Sequence, residues 1–419
     1  MPVGSGLSAS FGIATETTVG VPVPVTRFIE FDSESIAMKK KTVQGAGLRQ
    51  GGLVARAARR VLTGREFNGD VQFDATTTGL GLVLQHMLGS TPVITGPTGG
   101  VYRQVHNIGQ LAGRSFTTQV VRPDTSGILA QNAFTYTGCK VTDWELSAKA
   151  GEQLQVKLSI DALDEATPSN SFAATVTAAV VAAGATSIST VGSVPAGSWI
   201  VLDAGVNAEV VQTGTATGSG PYTIPLTTPA RVGHAAGVSV TSATGVNYGA
   251  ATALQAATYN PAAGLFGFNS GSLIAGGTTA TTGGLFTNTG GVPVANVRSF
   301  SLTGKNALAT DRYSMGSSIR SEQLDNGWRE YGSEVEVEYN SRAFYDAYAA
   351  DVQLDLQVNF TAPGGAALTF TAPVGFQDDG ATPNVGGADL IVQKLKFVLL
   401  DDGVNGPLQA VYSSSDAAV

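Results

Sequence analysis

Two distant stretches of the chain alternate polar and apolar residues in the same order. Residues 65–74 are REFNGDVQFD, and residues 329–338 are REYGSEVEVE. A period of two residues is typical of a β-strand with one wet face and one buried face. We therefore predict two equivalent strands. The side chains expected to face the core are Val71, Phe73, Val335, Val337 and Tyr339.

A helical period follows each of these strands. Apolar residues recur on one helix face at Leu80, Val83, Leu84, Met87 and Leu88, and again at Phe344, Ala347 and Tyr348. Upstream, residues 27–31 and 298–302 each open a further predicted strand. Downstream, residues 140–146 and 393–398 each lead through a glycine turn into a last strand. The shared order of elements predicts an internal duplication.

The patterns divide the chain into five regions. Residues 1–25 are predicted to form an extended N-terminal arm, and residues 26–164 the first copy. Residues 173–245 contain six short β-prone runs between Gly, Pro and Asn turns, which indicates an inserted all-β module on the outer surface. Residues 246–296 are rich in Gly and Thr, as in a linker, and residues 297–419 are the second copy.

Composition indicates an assembled protein. Glycine accounts for 53 of 419 residues, charged residues for only 13%, and the formal net charge is -8. A soluble domain usually has about a quarter of its residues charged, so much of this surface is predicted to be covered by neighbours. The acidic balance also argues against a protein that grips nucleic acid, which needs basic patches.

The polar sides of the two duplicated strands carry the main candidate residues. They are Asp70, Gln72 and Asp74 in the first copy and Glu334, Glu336 and Glu338 in the second. Like charges about 7 Å apart along a strand are tolerated in water, so this face is predicted to be solvated. An ordinary outer strand face is one explanation. Its repetition beside the same helix favours the lining of a water-filled channel.

A long basic excursion, residues 42–64, separates two predicted strands of the first copy. Its candidate contact residues are Arg49, Arg56, Arg59 and Arg60. A nucleic-acid patch, a solvated loop and a contact with another copy of the assembled chain are three alternatives. No interleaved aromatic residues offer base stacking, so we favour the contact between copies. The expected partner is the second copy's acidic surface at Asp311, Glu322 and Asp325.

Catalytic signatures are absent from the sequence, which has no P-loop, nucleophile elbow or HExxH motif. His86 is predicted on the polar face of its helix, and Cys139 as a small buried residue. The aspartate pairs at 378–379 and 401–402 are predicted turn residues, with a calcium site as the alternative. We predict no enzymatic activity, no cofactor and no metal site.

Targeting signals are also missing from the sequence. The first 25 residues have no basic segment followed by an apolar core, and no run of eighteen apolar residues occurs. We therefore expect a chain that folds in the cytoplasm and does not insert into a membrane.

Several of these features together carry a family resemblance. Residues 11–20 (FGIATETTVG), the strand at 28–36, the unit of acidic strand and helix, and the interposed β-module resemble the major tail tube protein of long-tailed bacteriophages. The resemblance covers most of the chain outside the linker. It rests on overall pattern, because this family has no catalytic motif.

The resemblance implies a mainly β fold with short flanking helices. Two tandem β-sandwich or barrel-like units would form rings with a continuous lumenal β-barrel, and the rings would stack through loops and arms into a virion tail tube that conducts DNA. It also implies assembly in the host cytoplasm and tail terminator, tape measure and distal tail proteins as partners. Because each copy would replace one subunit of the simple pattern, we predict a trimeric, pseudo-hexameric ring rather than a true hexamer.

Two other classes of protein stay open on the sequence alone. One is a receptor- or carbohydrate-binding virion protein that uses the inserted module, with Trp199 and Tyr222 as a sugar platform; Trp199 is otherwise expected in a core. The other is a capsid or surface-lattice shell protein, which would also be acidic and rich in Gly and Thr.

Overall fold

A computed structural model describes residues 5–50, 52–123, 133–165, 174–204, 207–242, 254–317, 319–379 and 381–419. Strands account for 49% of the chain and helices for 7%, with two α-helices. These proportions confirm the mainly β fold class.

The elements fall into three groups along the chain. The first copy contains β1 (Ser10–Thr15), β2 (Arg27–Ile29), β3 (Ser33–Glu34), β4 (Ala37–Gln44), β5 (Arg60–Asp74), α1 (Gly81–Leu88), β6 (Val93–Thr98), β7 (Val101–Asn107), β8 (Phe116–Val121), β9 (Ala133–Lys149), β10 (Gln155–Ala162) and β11 (Asp164–Glu165). The inserted module contains β12 (Thr175–Val176), β13 (Ser187–Thr190), β14 (Trp199–Leu202), β15 (Glu209–Gln212), β16 (Tyr222–Pro225) and β17 (Ser239–Ser242). The second copy contains β18 (Gly271–Ala275), β19 (Thr278–Thr282), β20 (Leu285–Thr289), β21 (Val292–Pro293), β22 (Val297–Lys305), β23 (Glu330–Glu338), α2 (Ala343–Ala349), β24 (Leu354–Thr361), β25 (Ala367–Asp379), β26 (Val392–Leu399) and β27 (Gln409–Ser414).

One antiparallel inner sheet runs through both copies. Its order is β3–β4, β5, β10, β9, β22, β23, β26 and β25, where β3 and β4 follow one another along the same edge of β5. The copies meet where β9 pairs with β22, with Asp143 opposite Lys305 and Lys149 opposite Ser299. We call this β9–β22 pairing the internal joint. Each copy therefore supplies four strand positions to a single sheet.

An outer layer of strands covers the buried face of the inner sheet. In the first copy the paired strands of this layer follow in the order β2, β1, β8 and the N-terminal half of β9. In the second copy the order is β21, β18, β24 and the N-terminal half of β25. β9 and β25 are long enough to belong to both layers. β27 extends the outer layer of the second copy beyond β25 and pairs with β7 of the first copy. A single apolar core lies between the layers and includes Phe73, Trp144, Val335 and Phe397.

Two predicted region boundaries are wrong. Within the predicted arm of residues 1–25, β1 pairs with β8, Phe11 and Ile13 are buried, and Glu16 accepts hydrogen bonds from the Gly20 and Gly138 amides. Within the predicted linker of residues 246–296, β18 pairs with β24 as β1 pairs with β8; residues 246–253 lie outside the described residues. These strands were not predicted because they are rich in Gly, Ser and Thr, which are also common in loops.

The expected match between residues 27–31 and 298–302 is also wrong. β2 pairs with β1 in the outer layer, whereas β22 pairs with β23 in the inner sheet. The counterpart of β22 is the β3–β4 edge, where Lys39 lies opposite Glu66 as Lys305 lies opposite Glu330. A short alternating pattern in the sequence does not determine which strand it pairs with or in which register. The strand pairing in the structure therefore decides which segments of the two copies are equivalent.

The two helices differ in burial. All eight residues of α1 are buried, including His86, so the predicted polar helix face is wrong. α2 has no fully buried residue, although Phe344 packs against the core. β7 packs against α1, and the Asn306 side-chain amide donates to the Met87 carbonyl at the end of that helix. Segments remote in sequence therefore account for the burial.

The inserted module has an apolar core of its own. Strands β12, β17, β14 and β15 form one sheet, and β13 pairs with β16 in another. The core between them includes Val181, Ile188, Ile200, Val211, Ile224 and Val240. Residues 173, 205–206 and 243–245 of the predicted module lie outside the described residues.

Candidate functional site

The inner sheet presents one polar face that continues across the internal joint. Directly opposed residues on neighbouring strands form a row from Asp74 through Gln155, Ser147 and Ser301 to Glu334. Asp74 and Glu334 are thus four strand spacings apart, about 19 Å at a spacing of about 4.8 Å. The six candidate residues all lie on this face: Asp70, Gln72, Asp74, Glu334, Glu336 and Glu338.

Alternation along β5 and β23 determines this orientation. Val71, Phe73, Val335 and Val337 are buried between the polar residues, as predicted, whereas Tyr339 is only half-buried just past the end of β23. A shift of one residue in register would turn every charged side chain into the core. The buried side chains therefore hold the polar face in place.

Lysines from neighbouring strands lie among the carboxylates. The Lys157 ammonium is 3.2 Å from the Asp70 carboxylate, and that of Lys394 is 3.8 Å from Glu336 and 3.9 Å from Glu334. The carboxylates of the face include Asp70, Asp74, Asp143, Glu145, Glu330, Glu334, Glu336 and Glu338, and its lysines include Lys149, Lys157, Lys305, Lys394 and Lys396. The face is thus acidic with interspersed cations. The acidic strands alone did not reveal these lysines, because the sheet brings them together from distant strands.

The electrostatic environment of Asp74 differs from that of an isolated aspartate. Partial burial and, secondarily, the nearby Asp32 carboxylate raise the pKa of Asp74. The exposed ion pairs on this face are each worth about 0–1 kcal/mol, since water and salt screen them. The face is therefore a solvated electrostatic surface and contributes little to folding stability.

A groove of about 760 Å³ lies on the polar face at the internal joint. Trp144 packs there against Gly304, where any Cβ atom would lie 2.2 Å from the indole ring. The groove is lined by charged, apolar and small residues, among them Asp143, Lys305 and Trp328, and by no histidine or cysteine.

The basic excursion forms a protruding ribbon. β4 pairs with the start of β5, and every residue of β4 is exposed. Residues 45–50 and 52–59 lie between the two strands. Arg49, Arg56, Arg59 and Arg60 all lie exposed at its far end. Two of their predicted acidic partners already have cations in the same chain: Glu322 binds Lys140 and Asp325 binds Arg329.

Residues 306–317 and 319–329 of the second copy form an ionic clasp over the first copy. The Arg320 guanidinium donates to the Asp161 carboxylate at 2.9 Å, and both side chains are at most 4% exposed. The Gln323 amide donates to the other Asp161 oxygen at 2.8 Å. The buried Lys140 ammonium donates to Glu322 at 2.7 Å. Burial raises the pKa of Asp161, with Arg320 opposing that shift.

The histidines occupy three separate environments. Burial lowers the pKa of His86 and of His106 to about 3. His234, in the module, lies between Glu209 at 2.7 Å and Asp203 at 3.1 Å, and these carboxylates raise its pKa against the opposing effect of burial. Cys139 is buried, as predicted, and burial raises the pKa of its thiol. None of these residues belongs to the polar face.

The paired residues that a metal site or a sugar platform would need are not brought together in the described residues. Within the described ranges, no group of three or more His, Cys, Asp and Glu side chains is arranged to hold a metal ion. No helix of the described chain is both long enough and apolar enough to cross a bilayer. Trp199 is half exposed rather than in a core, and Tyr222 lies on a strand of the other module sheet. The structure does not place them side by side on one strand pair.

These features define a duplicated, mainly β structural protein whose two copies share one sheet and one polar face. A family model described as phage tail tube protein matches residues 6–200 and again residues 197–399. The chain belongs to the phage tail tube protein family, which confirms the resemblance and the internal duplication. No curated protein sequence matches the chain.

Proposed function

We propose that this chain polymerises as stacked rings into a phage tail tube, and that the polar face of the inner sheet lines the lumen. The observation that carries this proposal is the unbroken polar row from Asp74 to Glu334 across the internal joint. A face shared by two copies extends around a ring when further copies are added. Family membership supports self-assembly into a tube.

The charges of the proposed lumen suit the passage of DNA. Carboxylates repel phosphates, and tight DNA binding requires several Lys or Arg residues that release counterions together. On this face, Lys157 and Lys394 each lie beside carboxylates. The lining thus lacks a continuous cationic track among the described residues, and we propose that the genome slides along it without sticking.

We propose three chains per ring. Three chains bring 24 strand positions, eight from each chain. A spacing of about 4.8 Å and a tilt of about 40° then give a backbone diameter of about 50 Å and a bore of about 40 Å. Six chains would roughly double the diameter. The lining would alternate between Gln72 and Glu336 around a pseudo-six-fold ring.

Electron microscopy and native mass spectrometry of the purified chain test both proposals. We expect tubes or short stacked rings in negative stain and a ring mass of three chains. Flat sheets or closed shells would instead support a lattice protein, and dispersed monomers that bind glycans a receptor-binding protein. A ring of six chains would contradict the trimer and indicate that only one copy lines the channel.

The basic ribbon is proposed to contact the adjacent ring. Its far end, with Arg49, Arg56, Arg59 and Arg60, protrudes from the sheet and carries exposed apolar residues Leu48 and Leu53. Stacking of rings would cover both kinds of side chain. Tail terminator, tape measure and distal tail proteins are proposed partners at the ends and in the lumen of the tube. We place the assembled protein in the virion tail and its assembly in the host cytoplasm, and we propose no enzymatic activity.

Deleting the module provides a test of domain roles. Because the module has its own core, replacing residues 173–245 by a short Gly/Ser linker is expected to leave rings and tubes intact and to remove density from the outer wall. Negative-stain images of the deletion variant measure this result. Circular dichroism checks that the remaining sheet is folded. A folded variant that forms no rings would show that the module is part of the tube wall.

A further inference from the structure

The dipeptide Asn–Gly occurs three times in the chain, at residues 68–69, 326–327 and 405–406. Glycine has no side chain to shield its backbone nitrogen, so this nitrogen can attack the side-chain carbonyl carbon of the preceding asparagine. The attack needs a backbone that is free to rotate and a side-chain amide that is not held by hydrogen bonds. The three sites share the dipeptide and differ in their surroundings, so the fold decides which of them reacts.

The first site is held inside the inner sheet. Asn68 lies opposite Asp161 of β10, and its side-chain oxygen accepts a hydrogen bond from Lys39. A Cβ atom on Gly69 would lie 2.4 Å from the Ser35 carbonyl oxygen, so this part of the backbone is closely packed. An attack here would disturb a strand that is paired on both sides, with β4 and with β10.

The third site is held in a tight turn. The Asn405 side-chain amide donates to the Asp402 carboxylate at 2.9 Å, and its side-chain oxygen contacts the Thr281 hydroxyl. The Asn405 backbone amide donates to the same Asp402 carboxylate. Both polar atoms of the reacting side chain therefore have partners, which disfavours the rotation that the attack needs.

The second site lies in the ionic clasp and is free of these restraints. Asn326 and Gly327 are both exposed. Within the described residues, neither the Asn326 side-chain amide nor the Gly327 backbone amide has a hydrogen-bond partner. The Asn326 backbone amide donates to the Ala307 carbonyl at 2.8 Å, which anchors the chain just before the reacting bond. A Cβ atom on Gly327 would meet only Ala307, at an ordinary contact distance of 3.6 Å.

We propose that Asn326 is a site of spontaneous deamidation, which needs no enzyme. The Gly327 nitrogen gives up its proton and bonds to the Asn326 side-chain carbonyl carbon. The carbon–nitrogen bond of the side-chain amide breaks, and ammonia leaves with that proton as a succinimide ring forms. Water then opens the ring at one of its two carbonyl groups. One opening gives aspartate, and the other gives isoaspartate, in which the main chain runs through the side-chain carbon.

The product alters both the charge and the backbone of the ionic clasp. Asp325, next to the modified residue, pairs with Arg329 at 2.7 Å, and Arg329 also donates to the Gly109 carbonyl of the first copy at 2.7 Å. A new carboxylate at residue 326 would compete for this guanidinium. Isoaspartate also adds one atom to the main chain between the two paired residues. The modification therefore changes the segment through which the second copy holds the first.

Peptide mass spectrometry of the purified chain after incubation at slightly alkaline pH tests the proposal. Trypsin places the three sites in separate peptides, residues 66–103, 321–329 and 397–419, each with a single asparagine. We expect the 321–329 peptide to be converted from amide to acid at least about tenfold faster than the other two. The held sites must first open locally, and each 1.4 kcal/mol of opening free energy slows the reaction about tenfold.

Two controls separate the effect of the fold from that of the dipeptide. In urea, where the chain is unfolded, the three peptides are expected to react at similar rates. Gly327→Ala has room for its methyl group, so it should keep the fold and slow the reaction at Asn326 severalfold by hindering the attacking nitrogen. A folded chain in which Asn326 reacts no faster than Asn68 would overturn the proposal. So would a rate that does not rise with pH, because the attacking nitrogen must lose its proton.

Ageing provides a separate measurement of the effect on the clasp. Fully converted chain, with its isoaspartate labelled by isoaspartyl methyltransferase, is expected to unfold at a lower urea concentration than equally aged Gly327→Ala. Trp144 fluorescence follows the unfolding, because this residue lies in the core shared by the two copies. Identical unfolding of the two samples would overturn the inferred weakening of the clasp.

Discussion

Replacing Arg320 by methionine is expected to lower the free energy of unfolding of the two-copy body by about 3–5 kcal/mol. The variant leaves the Asp161 carboxylate buried without its cation, and the Ala162 carbonyl loses a donor at 2.8 Å. Chemical unfolding followed by the fluorescence of the core residue Trp144 measures the loss. A change below about 1 kcal/mol would contradict a structural role for the clasp.

The pH dependence of the same variant gives an independent check. Arg320 is the main influence that lowers the pKa of Asp161 against burial, so its loss raises that pKa further. A folded-state pKa above the unfolded value means that protonation favours the folded state, and that stability is lost as pH rises through the folded value. The difference in free energy of unfolding between the Arg320→Met variant and the unmodified protein should therefore shrink as pH falls towards the pKa of Asp161.

Two further variants separate the buried charge from general packing. Arg320→Met combined with Asp161→Leu should recover much of the loss, because no unpaired charge remains. Arg342→Ala removes an exposed pair with Asp346 and should change stability by less than about 0.5 kcal/mol. A double variant as unstable as the single one would indicate lost packing instead.

Changing Glu334, Glu336 and Glu338 together to lysine is expected to block genome delivery while tubes still form. The three carboxylates lie on the solvated face, and their apolar neighbours Val335 and Val337 stay in the core. With Lys394 and Lys396 on the neighbouring strand, the change creates a cationic track. Such a track binds phosphates and releases counterions.

The measurement is DNA ejected from phage particles that carry the variant tube. We expect tails of normal length that retain DNA, with retention relieved at high salt as phosphate binding weakens. The matched control, the three glutamates changed to glutamine, removes charge without adding cations and should eject nearly normally. Normal ejection by the lysine variant would contradict the lining role.

Alternation of apolar and polar residues predicted much of the inner sheet. The strands at 65–74 and 329–338, the burial of Val71 and Val335 and the duplication itself all follow from a period of two and its repetition. The sequence pattern did not predict β1, in which Phe11 and Ile13 alternate with small residues. All but the last residue of this strand are buried, so the alternation of polar and apolar residues is weak.

Contacts between distant segments explain the other differences. No local pattern shows that Lys157 reaches Asp70 or that Arg320 reaches Asp161, since sheet order and loop path decide both. The burial of His86 likewise depends on Thr15 of β1 and Phe116 of β8, which contact its ring. A charged face could be predicted from one strand, but its counter-charges could not.

The internal joint also affects how a tube would nucleate. Its two strands belong to one polypeptide, so they meet at an effective concentration set by the intervening chain and not by the amount of protein present. A ring built from such chains has half of its joints formed before any two molecules collide. In the proposed ring each chain meets its neighbours head to tail, so head-to-head encounters do not contribute to closure.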